Sequence, residues 1–278
     1  MKKILITGAT GFVGKQVVRA LADRDIELHL VVREGKEFIF NKYPSVQSII
    51  STPDLFNEDS DWWSNHCDDI DTVVHLAWFA EPGEYFESKK NIDCIIGSLN
   101  LAKGASRSGV KRFIGIGTCV EYDLSGGVLS VETPLKPKSP YAQAKTSLFY
   151  GLSNWFAQCE IEFAWCRLFF LYGEGEDSRR LIPYIRSQLD KGEYAELTSG
   201  KQIRDFMDVK DAGKIIAAIV NGCQVGPINV CSGIPITVRQ LAEKIADECG
   251  RRHLLKFGVR TDELSASPCI LGIPNIII

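Results

Sequence analysis

Histidine is scarce in this sequence. The four histidines among its 278 residues stand at positions 29, 66, 75 and 253, and no two of them have the spacing of metal ligands. The nine cysteines are scattered and form no Cys-x-x-Cys pair, and most lie in apolar contexts where cysteine behaves as a small core residue. These patterns argue against a metal centre and against a framework of disulfides.

Runs of a single charge are missing as well. The net charge is −3, and no basic run of the kind that binds polyanions occurs. No apolar segment approaches the length of a membrane span, and the apolar run near the N-terminus is broken by glycines and lacks a signal-peptide cleavage site. We therefore expect a cytoplasmic protein with neither nucleic-acid nor membrane partners.

Short β-rich runs alternate with longer helical patterns over the first part of the chain. The predicted strands are near-continuous apolar runs at 3–7, 27–32, 46–51, 71–77, 112–117 and 161–168. The predicted helices lie near 12–24, 86–107 and 140–158. Such apolar strands are typical of a parallel sheet covered on both faces, so the pattern predicts an α/β fold with a doubly wound parallel Rossmann sheet.

The pattern is looser after about residue 171. Its predicted elements are loops at 171–180 and 197–209, a helix near 208–220, a strand at 226–231 and a helix at 237–249. We interpret residues 1–170 as a dinucleotide-binding domain to which residues 208–231 return, and residues 171–278 mainly as a small substrate-binding lobe. The apolar segment 267–278 is compatible with packing on this lobe or with meeting a partner.

A glycine-rich segment joins the first predicted strand to the first predicted helix. A tight turn and a close approach of the backbone to a pyrophosphate both need residues without a Cβ, and a helix N-terminus supplies free N–H groups. The segment therefore predicts a dinucleotide site. Its predicted contacts are Gly8, Thr10, Gly11, Phe12, Val13 and Gly14.

Tyr141 and Lys145 stand four positions apart at the start of a predicted helix, and Thr118 closes the fifth strand. Such a tyrosine and lysine share a helix face by chance in many proteins, but all three residues here fall at the carboxyl ends of strands that follow a glycine loop. A nearby ammonium lowers the pKa of a tyrosine from about 10 and suits it to proton transfer. We predict that Tyr141 exchanges a proton with the substrate oxygen, that Thr118 hydrogen-bonds the same oxygen, and that Lys145 supports both.

Six segments resemble, in chain order, the extended branch of the short-chain dehydrogenase/reductase superfamily, which acts on nucleotide sugars. They are "ITGATGFVG", "PDL", "HLAW", "GTCVEYD", "SPYAQAK" and "SGKQIRDFMDV". The resemblance implies that Asp54 and Leu55 contact the adenine of a nicotinamide dinucleotide and that Lys145 holds its nicotinamide ribose. Further implied cofactor contacts are Leu76, Ala77, Trp78 and Tyr141. It also implies a homodimer formed through the helices near 86–107 and 140–158.

The end of the second predicted strand bears on the choice of cofactor. Enzymes that prefer NAD usually carry an acidic residue there, whereas this chain has Val32 followed by Arg33, with Lys36 close behind. A guanidinium suits a 2′-phosphate, although Glu34 works against it. The sequence thus favours NADP(H) over NAD(H).

The residues after Thr118 narrow the reaction. Similar dehydratases place Asp-Glu there for the elimination of water, and this chain has Cys119 and Val120. Phe170 stands where many C4-epimerases have an asparagine, and Cys94 replaces an asparagine of the fourth helix. We predict an NADPH-dependent reductase of a nucleotide-linked 4-keto-6-deoxyhexose, since several segments resemble bacterial reductases of that class, which build deoxysugars for O-antigens. An NAD-dependent C4-epimerase and a non-catalytic NADP-binding sensor are the alternatives.

The residues predicted to contact the substrate follow from the same resemblance. They are Thr118, Trp78, Phe170 and Arg204. Arg204 is expected on the diphosphate, because an arginine fits it in bidentate fashion. Arg179 and Arg180 are interpreted as a solvated charge pair in preference to substrate contacts.

Overall fold

The computed structural model describes residues 1–22, 24–40, 43–261 and 267–276. Its strands, numbered along the chain, are β1 (Lys2–Thr7), β2 (Ile26–Arg33), β3 (Val46–Thr52), β4 (Thr72–His75), β5 (Arg112–Thr118), β6 (Val128–Leu129), β7 (Glu162–Leu168), β8 (Phe170–Tyr172), β9 (Ala195–Leu197), β10 (Ile203–Asp208), β11 (Gly226–Val230), β12 (Pro235–Thr237), β13 (Leu255–Phe257) and β14 (Cys269–Gly272). Its α-helices are α1 (Phe12–Ala22), α2 (Ser60–His66), α3 (Lys90–Arg107), α4 (Pro140–Gln158), α5 (Leu181–Lys191), α6 (Val209–Asn221) and α7 (Val238–Glu248).

The central layer is a seven-stranded sheet in the order β11-β7-β5-β4-β1-β2-β3. All of its pairings are parallel. The strand order reverses at β1, so the carboxyl ends of β1 and β4 frame the crevice where such sheets bind their ligands. The predicted α/β fold with a doubly wound parallel sheet is confirmed.

Helices cover both faces of this sheet, which explains why its strands are apolar throughout. Val17 of α1 and Ile216 of α6 belong to the buried cluster on one face, and Leu101 of α3 belongs to the cluster on the other, which α4 also covers. The packing is close: a Cβ added at Gly213 of α6 would lie 2.7 Å from the Cβ of Gln16 in α1. The sheet is therefore a rigid base for the residues at its carboxyl edge.

Some predicted boundaries differ from the structure. The strand predicted at 71–77 ends at His75, and the helix predicted at 86–107 begins only at Lys90 because residues 82–87 form turns. The short helix α2 has no predicted counterpart. Residues 208–231 contribute α6 and β11, and β11 forms the edge of the main sheet beside β7.

The small lobe, as we name it here, comprises α5, α7 and the strands outside the main sheet. One sheet has the order β12-β10-β14-β6, with β8 also paired to β10, and β9 pairs with β13. The loops predicted at 171–180 and 197–209 are therefore partly wrong, because β8 begins just ahead of the first and β10 occupies most of the second. These strands are short and pair only with partners far along the chain, so no local pattern marks them.

The apolar segment near residue 270 packs within the small lobe. β14 lies between β10 and β6, parallel to both. Beyond it, the Asn275 side chain accepts from the backbone N–H of Asn229 at 2.9 Å and donates to the carbonyl of Pro227 at 3.1 Å, which ties this segment to β11. Positions 277–278 lie outside the described residues.

Candidate active site

A cavity of about 610 Å³ opens at the carboxyl edge of the main sheet. Most of the residues predicted as site residues line it: Gly8, Thr10, Gly11, Phe12, Val13, Gly14, Arg33, Asp54, Leu55, Leu76, Ala77, Trp78, Thr118, Tyr141 and Lys145. Phe170 and Arg204 do not belong to this lining. The fold thus brings together segments that are up to 137 positions apart, since Gly8 and Lys145 face one space.

The glycine loop leaves no room for side chains. Gly8 has a φ of +70°, and a Cβ there would lie 2.6 Å from the backbone nitrogen of Ala77. A Cβ on Gly14 would overlap the carbonyl oxygen of Gly8, to which the N–H of Gly11 donates at 3.0 Å. Helix α1 begins at Phe12, directly after Gly11, and includes Gly14. This bare cradle at a helix N-terminus fits the pyrophosphate of a dinucleotide.

The far end of the cavity carries positive charge. Arg33 ends β2 with its side chain exposed, and Lys36 lines the same space. The Asp54 carboxylate accepts from the backbone N–H of Phe56 at 3.0 Å and so caps the turn that carries Leu55. A Cβ at Gly97 of α3 would overlap the Phe56 backbone, so this turn sits tightly on α3.

Helix α4 places Tyr141 and Lys145 beside the end of β5. Ser139 caps the helix by accepting from the N–H of Ala142 at 3.2 Å, and Pro140 occupies its first turn. The Lys145 ammonium donates to the carbonyl of Ile116 in β5 at 2.7 Å. Because Ser139 caps α4 and the helix begins at Pro140, Tyr141 and Lys145 lie at the start of the helix and meet Thr118 at the end of β5.

Burial sets the ionisation of the pair. Burial raises the pKa of Tyr141 above its ordinary value, so the lowering predicted from the sequence is wrong for this structure, and only a hydrogen bond with the Thr118 side chain acts to lower it. Burial lowers the pKa of the Lys145 ammonium to about 7, and the negative charge of Glu121 opposes that shift. Near neutral pH Tyr141 is therefore a phenol that can donate a proton, and Lys145 titrates beside it.

Aromatic rings surround Tyr141. The ring centroids of Trp78, Tyr85 and Phe86 lie 6.4, 4.8 and 5.6 Å from its own. The sequence analysis did not single out Tyr85 or Phe86, because they stand on the turns at 82–87 that the fold brings over α4. Both are aromatic residues in an otherwise polar stretch of sequence, and this contrast is the signal by which sequence reasoning could have found them.

A fully buried ion pair supports Thr118 from behind. The Glu121 carboxylate accepts from the backbone N–H of Thr118 at 2.7 Å and from Arg167 Nε at 2.8 Å. It also accepts from the indole N–H of Trp165 at 3.1 Å. Neither charged residue was predicted, although Thr118 and Glu121 have the spacing of a capping box.

His75 closes a second buried network next to Lys145. The Ser98 hydroxyl donates to the Cys94 carbonyl, so it must accept from the Nε2–H of His75, at 2.7 Å. The Nδ1 of His75 then accepts from the Thr7 hydroxyl, also at 2.7 Å. Burial, and secondarily the charge of Lys145, lowers the pKa of His75 to about 3. His75 is therefore neutral and serves as a structural link between β1, β4 and α3.

The small-lobe residues predicted to touch substrate contact one another. The Arg204 guanidinium lies 5.4 Å from the Phe170 ring centroid and donates to its neighbour, the Ile203 carbonyl. The next residue, Asp205, is fully buried and accepts four hydrogen bonds, from Ser232 N–H and hydroxyl and from the N–H groups of Gly233 and Gly272. This part of the motif therefore anchors the lobe.

The two arginines after β8 have different surroundings. Arg180 lines the main cavity and pairs with Glu176 at 3.5 Å, and its interpretation as a solvated charge stays a prediction. Arg179 pairs with Asp177 at 2.8 Å and with Glu81 at 2.6 Å and borders a second cavity of about 270 Å³. That cavity is also lined by Leu181, Tyr184, Glu196, Leu197, Thr198, Val238 and Arg260.

Two further features concern the described residues as a group. Within them, no cluster of three or more His, Cys, Asp or Glu side chains is placed to hold a metal ion. None of the helices they form is both long and apolar enough to cross a membrane.

Comparison with known proteins places the chain among enzymes of nucleotide sugars. The model of the NAD dependent epimerase/dehydratase family matches residues 4–231. A dTDP-6-deoxy-L-talose 4-dehydrogenase (NAD(+)) from Aggregatibacter actinomycetemcomitans is 25% identical over 263 residues, covering 92% of this chain and 94% of the relative. UDP-glucuronic acid decarboxylase 2 from Arabidopsis thaliana is also 25% identical, covering 94% of this chain and 60% of the relative.

Solved structures show the same fold. The structure of UDP-N-acetylglucosamine 4-epimerase from Methanobrevibacter ruminantium M1, in complex with UDP-N-acetylmuramic acid, superposes with a TM-score of 0.85. It is 24% identical, and the match covers 99% of this chain and 90% of the other.

Proposed function

The chain belongs to the NAD dependent epimerase/dehydratase family, and from that premise we propose that it reduces the ketone of a nucleotide-linked 4-keto-6-deoxyhexose. The observation that carries the proposal is the trio of Thr118, Tyr141 and Lys145 around one cavity, with Cys119 and Val120 directly after Thr118. The trio suffices for proton transfer at a carbonyl oxygen. Elimination of water would need an acid and a base where the chain has a buried thiol and a valine.

Tyr141, Thr118 and Lys145 each have a separate role in the proposed reaction. A bound nicotinamide dinucleotide supplies the hydride. The Tyr141 phenol donates its proton to the carbonyl oxygen, and its raised pKa keeps it protonated before the reaction. The Thr118 hydroxyl, hydrogen-bonded to Tyr141, orients the same oxygen, and Glu121 fixes the backbone of Thr118. Lys145 stabilises the phenolate left behind by its positive charge.

A relative supports the proposed position of the chemistry on the sugar. The dehydrogenase from A. actinomycetemcomitans acts, by its name, at C4 of a 6-deoxyhexose linked to dTDP. Oxidation of that alcohol is the reverse of the reduction proposed for this chain. The two chains align over nearly their whole lengths.

We propose NADP(H) as the preferred cofactor. Arg33 and Lys36 both reach the cavity wall at the end of β2, and two cations there suit a 2′-phosphate. The named relative uses NAD(+), which points the other way. Arg33→Ala separates the two: we expect the ratio of Kd for NADPH over NADH to rise at least about tenfold, by isothermal titration. Arg24→Ala is the control, since Arg24 is an exposed arginine beyond the end of α1 whose side chain donates to the Ala20 carbonyl.

The nucleotide and diphosphate are proposed to lie toward the small lobe. The second cavity combines apolar walls with Arg179 and Arg260, and the adjacent Arg180 borders the main cavity. A diphosphate between the two cavities would meet these guanidinium groups, which bind phosphate well. Phe170 and Arg204 keep their proposed place at the substrate, where the Arg204 guanidinium packs 5.4 Å from the Phe170 ring centroid.

A homodimer is proposed through α3 and α4. Ile92, Ile96 and Leu99 follow one face of α3 and are each at least 40% exposed, and Tyr150 of α4 is 53% exposed. An apolar stripe of this kind on a helix face is stable in water when a second surface covers it. Sedimentation of the protein and of an Ile92→Glu, Ile96→Glu variant tests this arrangement.

The proposed reaction is tested by mixing the protein with NADPH or NADH and dTDP-, CDP- and GDP-linked 4-keto-6-deoxyhexoses. We expect stoichiometric loss of reduced cofactor with one sugar, and a rate at least about a hundredfold lower in Tyr141→Phe. Tyr194→Phe, an exposed tyrosine on the small lobe, should keep the full rate. Interconversion of UDP-hexoses without net use of cofactor would replace the reductase by a C4-epimerase.

A further inference from the structure

The surroundings of the Lys145 ammonium are unusual for a buried charge. Its Nζ donates to the Ile116 carbonyl at 2.7 Å and lies 3.7 Å from the centroid of the Trp78 ring. The Trp165 ring is farther away, at 5.9 Å. Across the described chain, no carboxylate forms an ion pair with Lys145. Besides the Ile116 carbonyl, the close contact that favours its positive charge is therefore the face of the Trp78 ring.

The Trp78 ring is held in this place by a dedicated partner. Its indole N–H donates to Asn91 Oδ1 at 2.9 Å. Asn91 is buried, and its amide donates to the carbonyls of Tyr85 at 2.7 Å and Ser88 at 2.9 Å. All polar atoms of the Asn91 side chain are thus engaged, so the indole has one orientation, and that orientation presents its face to Lys145.

We propose that Trp78 is a positioning residue whose ring face holds the Lys145 ammonium beside Tyr141 in its charged form. A tryptophan face is the strongest aromatic partner for a cation, and the contact strengthens when water is excluded. This role differs from a cofactor or sugar contact, because it acts through Lys145 whether or not a ligand is bound. Its consequence for catalysis rests on the function proposed above, in which charged Lys145 stabilises the Tyr141 phenolate.

The balance of charges around Lys145 makes such a contact effective. Burial opposes the charged form and lowers the pKa of Lys145 to about 7, whereas the negative charge of Glu121, behind β5, favours it. His75 of β4 is neutral, and Tyr141 on the same helix is a neutral phenol. At neutral pH the two forms of Lys145 are therefore close in free energy, and a modest attraction decides which one prevails.

The test weakens the attraction without changing the size of the ring. Tryptophan, 5-fluorotryptophan, 5,7-difluorotryptophan and tetrafluorotryptophan are placed at position 78 by nonsense suppression in protein labelled with ¹³C-lysine. The Lys145 Cε resonance, identified by its absence from Lys145→Met, is titrated with pH in the ligand-free protein. Fluorine withdraws electrons from the ring face, so the acid dissociation constant of Lys145 should rise stepwise, about tenfold over the series.

The same series at Trp155 is the matched control. Trp155 lies farther along α4 and stacks on Phe156 at 5.3 Å, so fluorination there should leave the Lys145 titration unchanged. A constant Lys145 titration across the Trp78 series would overturn the proposal. Because this readout needs no substrate, it is independent of the reductase assay. A stepwise shift without ketosugar reduction would remove the proposed function and leave the role of Trp78 standing, and the reverse result would do the opposite.

Discussion

The main sheet and the small lobe face each other across the cavity, and they are built in opposite ways. The cradle at the sheet comes from consecutive residues, because β1, the glycine loop and α1 occupy only positions 2–22. The lobe depends on distant pairings: β10 pairs with residues 170–172, 235–237 and 269–270, and β14 also pairs with β6 at residues 128–129. Local sequence therefore makes the glycine cradle, whereas only tertiary contacts make the sheet of the small lobe.

The two regions also differ in what makes them rigid. The glycine loop is tight because its glycines carry no side chains, and a Cβ at Gly8 or Gly14 would overlap backbone atoms. The small lobe has an apolar cluster between α5 and α7 and, beside it, one buried side chain, Asp205, whose two oxygens join three chain segments. The glycine loop should therefore be disrupted when a side-chain atom is added to it. The small lobe should be disrupted when an oxygen that accepts hydrogen bonds is removed from Asp205.

Replacing Asp205 with Asn should have the largest effect. The amide retains one acceptor oxygen but turns an NH₂ group toward N–H donors in a fully buried place, so we expect a loss of about 4 kcal/mol in the free energy of unfolding. Urea unfolding measures it, with Asp211→Asn, an exposed residue paired with Lys214, as the control. A loss under about 1 kcal/mol would mean that the lobe does not depend on this hub.

Gly14→Ala should damage the opposite wall. The new methyl group would overlap the Gly8 carbonyl, so the loop must open, and we expect nicotinamide dinucleotides to bind at least about a hundredfold more weakly. Gly151→Ala is the matched control, because a Cβ at that position of α4 meets open space. This control should bind normally and gain about 0.5–1 kcal/mol in stability, as expected for alanine inside a helix.

The buried His75 of the main sheet should make the free energy of unfolding fall in acid. Its pKa is about 3 in the folded protein and 6.5 when free, so between these values the unfolded chain binds a proton that the folded chain does not. Stability should therefore fall as the pH drops from 6.5, by about 2 kcal/mol at pH 5, and His75→Gln should remove this part of the slope. His253→Gln, at an exposed position, should keep it. Identical slopes in all three proteins would show that other groups govern the acid response.

More of the candidate site could be predicted from the sequence on the side of the main sheet than on the side of the small lobe, and the reason is physical. Gly8, Tyr141 and Lys145 were identifiable because backbone clearance and helix spacing are local properties, and the structure places all three on one cavity. Glu121 and Asn91 were missed, since a buried carboxylate or amide is recognised only by partners such as Arg167 and Trp78 that lie elsewhere in the chain. The role of Arg204 likewise stays a prediction.

The sequence by itself determined the order of the main-sheet strands along the chain, the bare glycine cradle and the start of α4 at Pro140, after the cap Ser139. These follow from apolar periodicity, missing Cβ atoms and a cap, each of which acts within a few residues. Tertiary structure alone decided that Trp78 faces Lys145, that Glu121 lies behind Thr118, and that Asp205 joins the strands of the small lobe. Burial and hydrogen bonds between distant segments exist only once the chain has folded, so no short stretch of sequence can specify them.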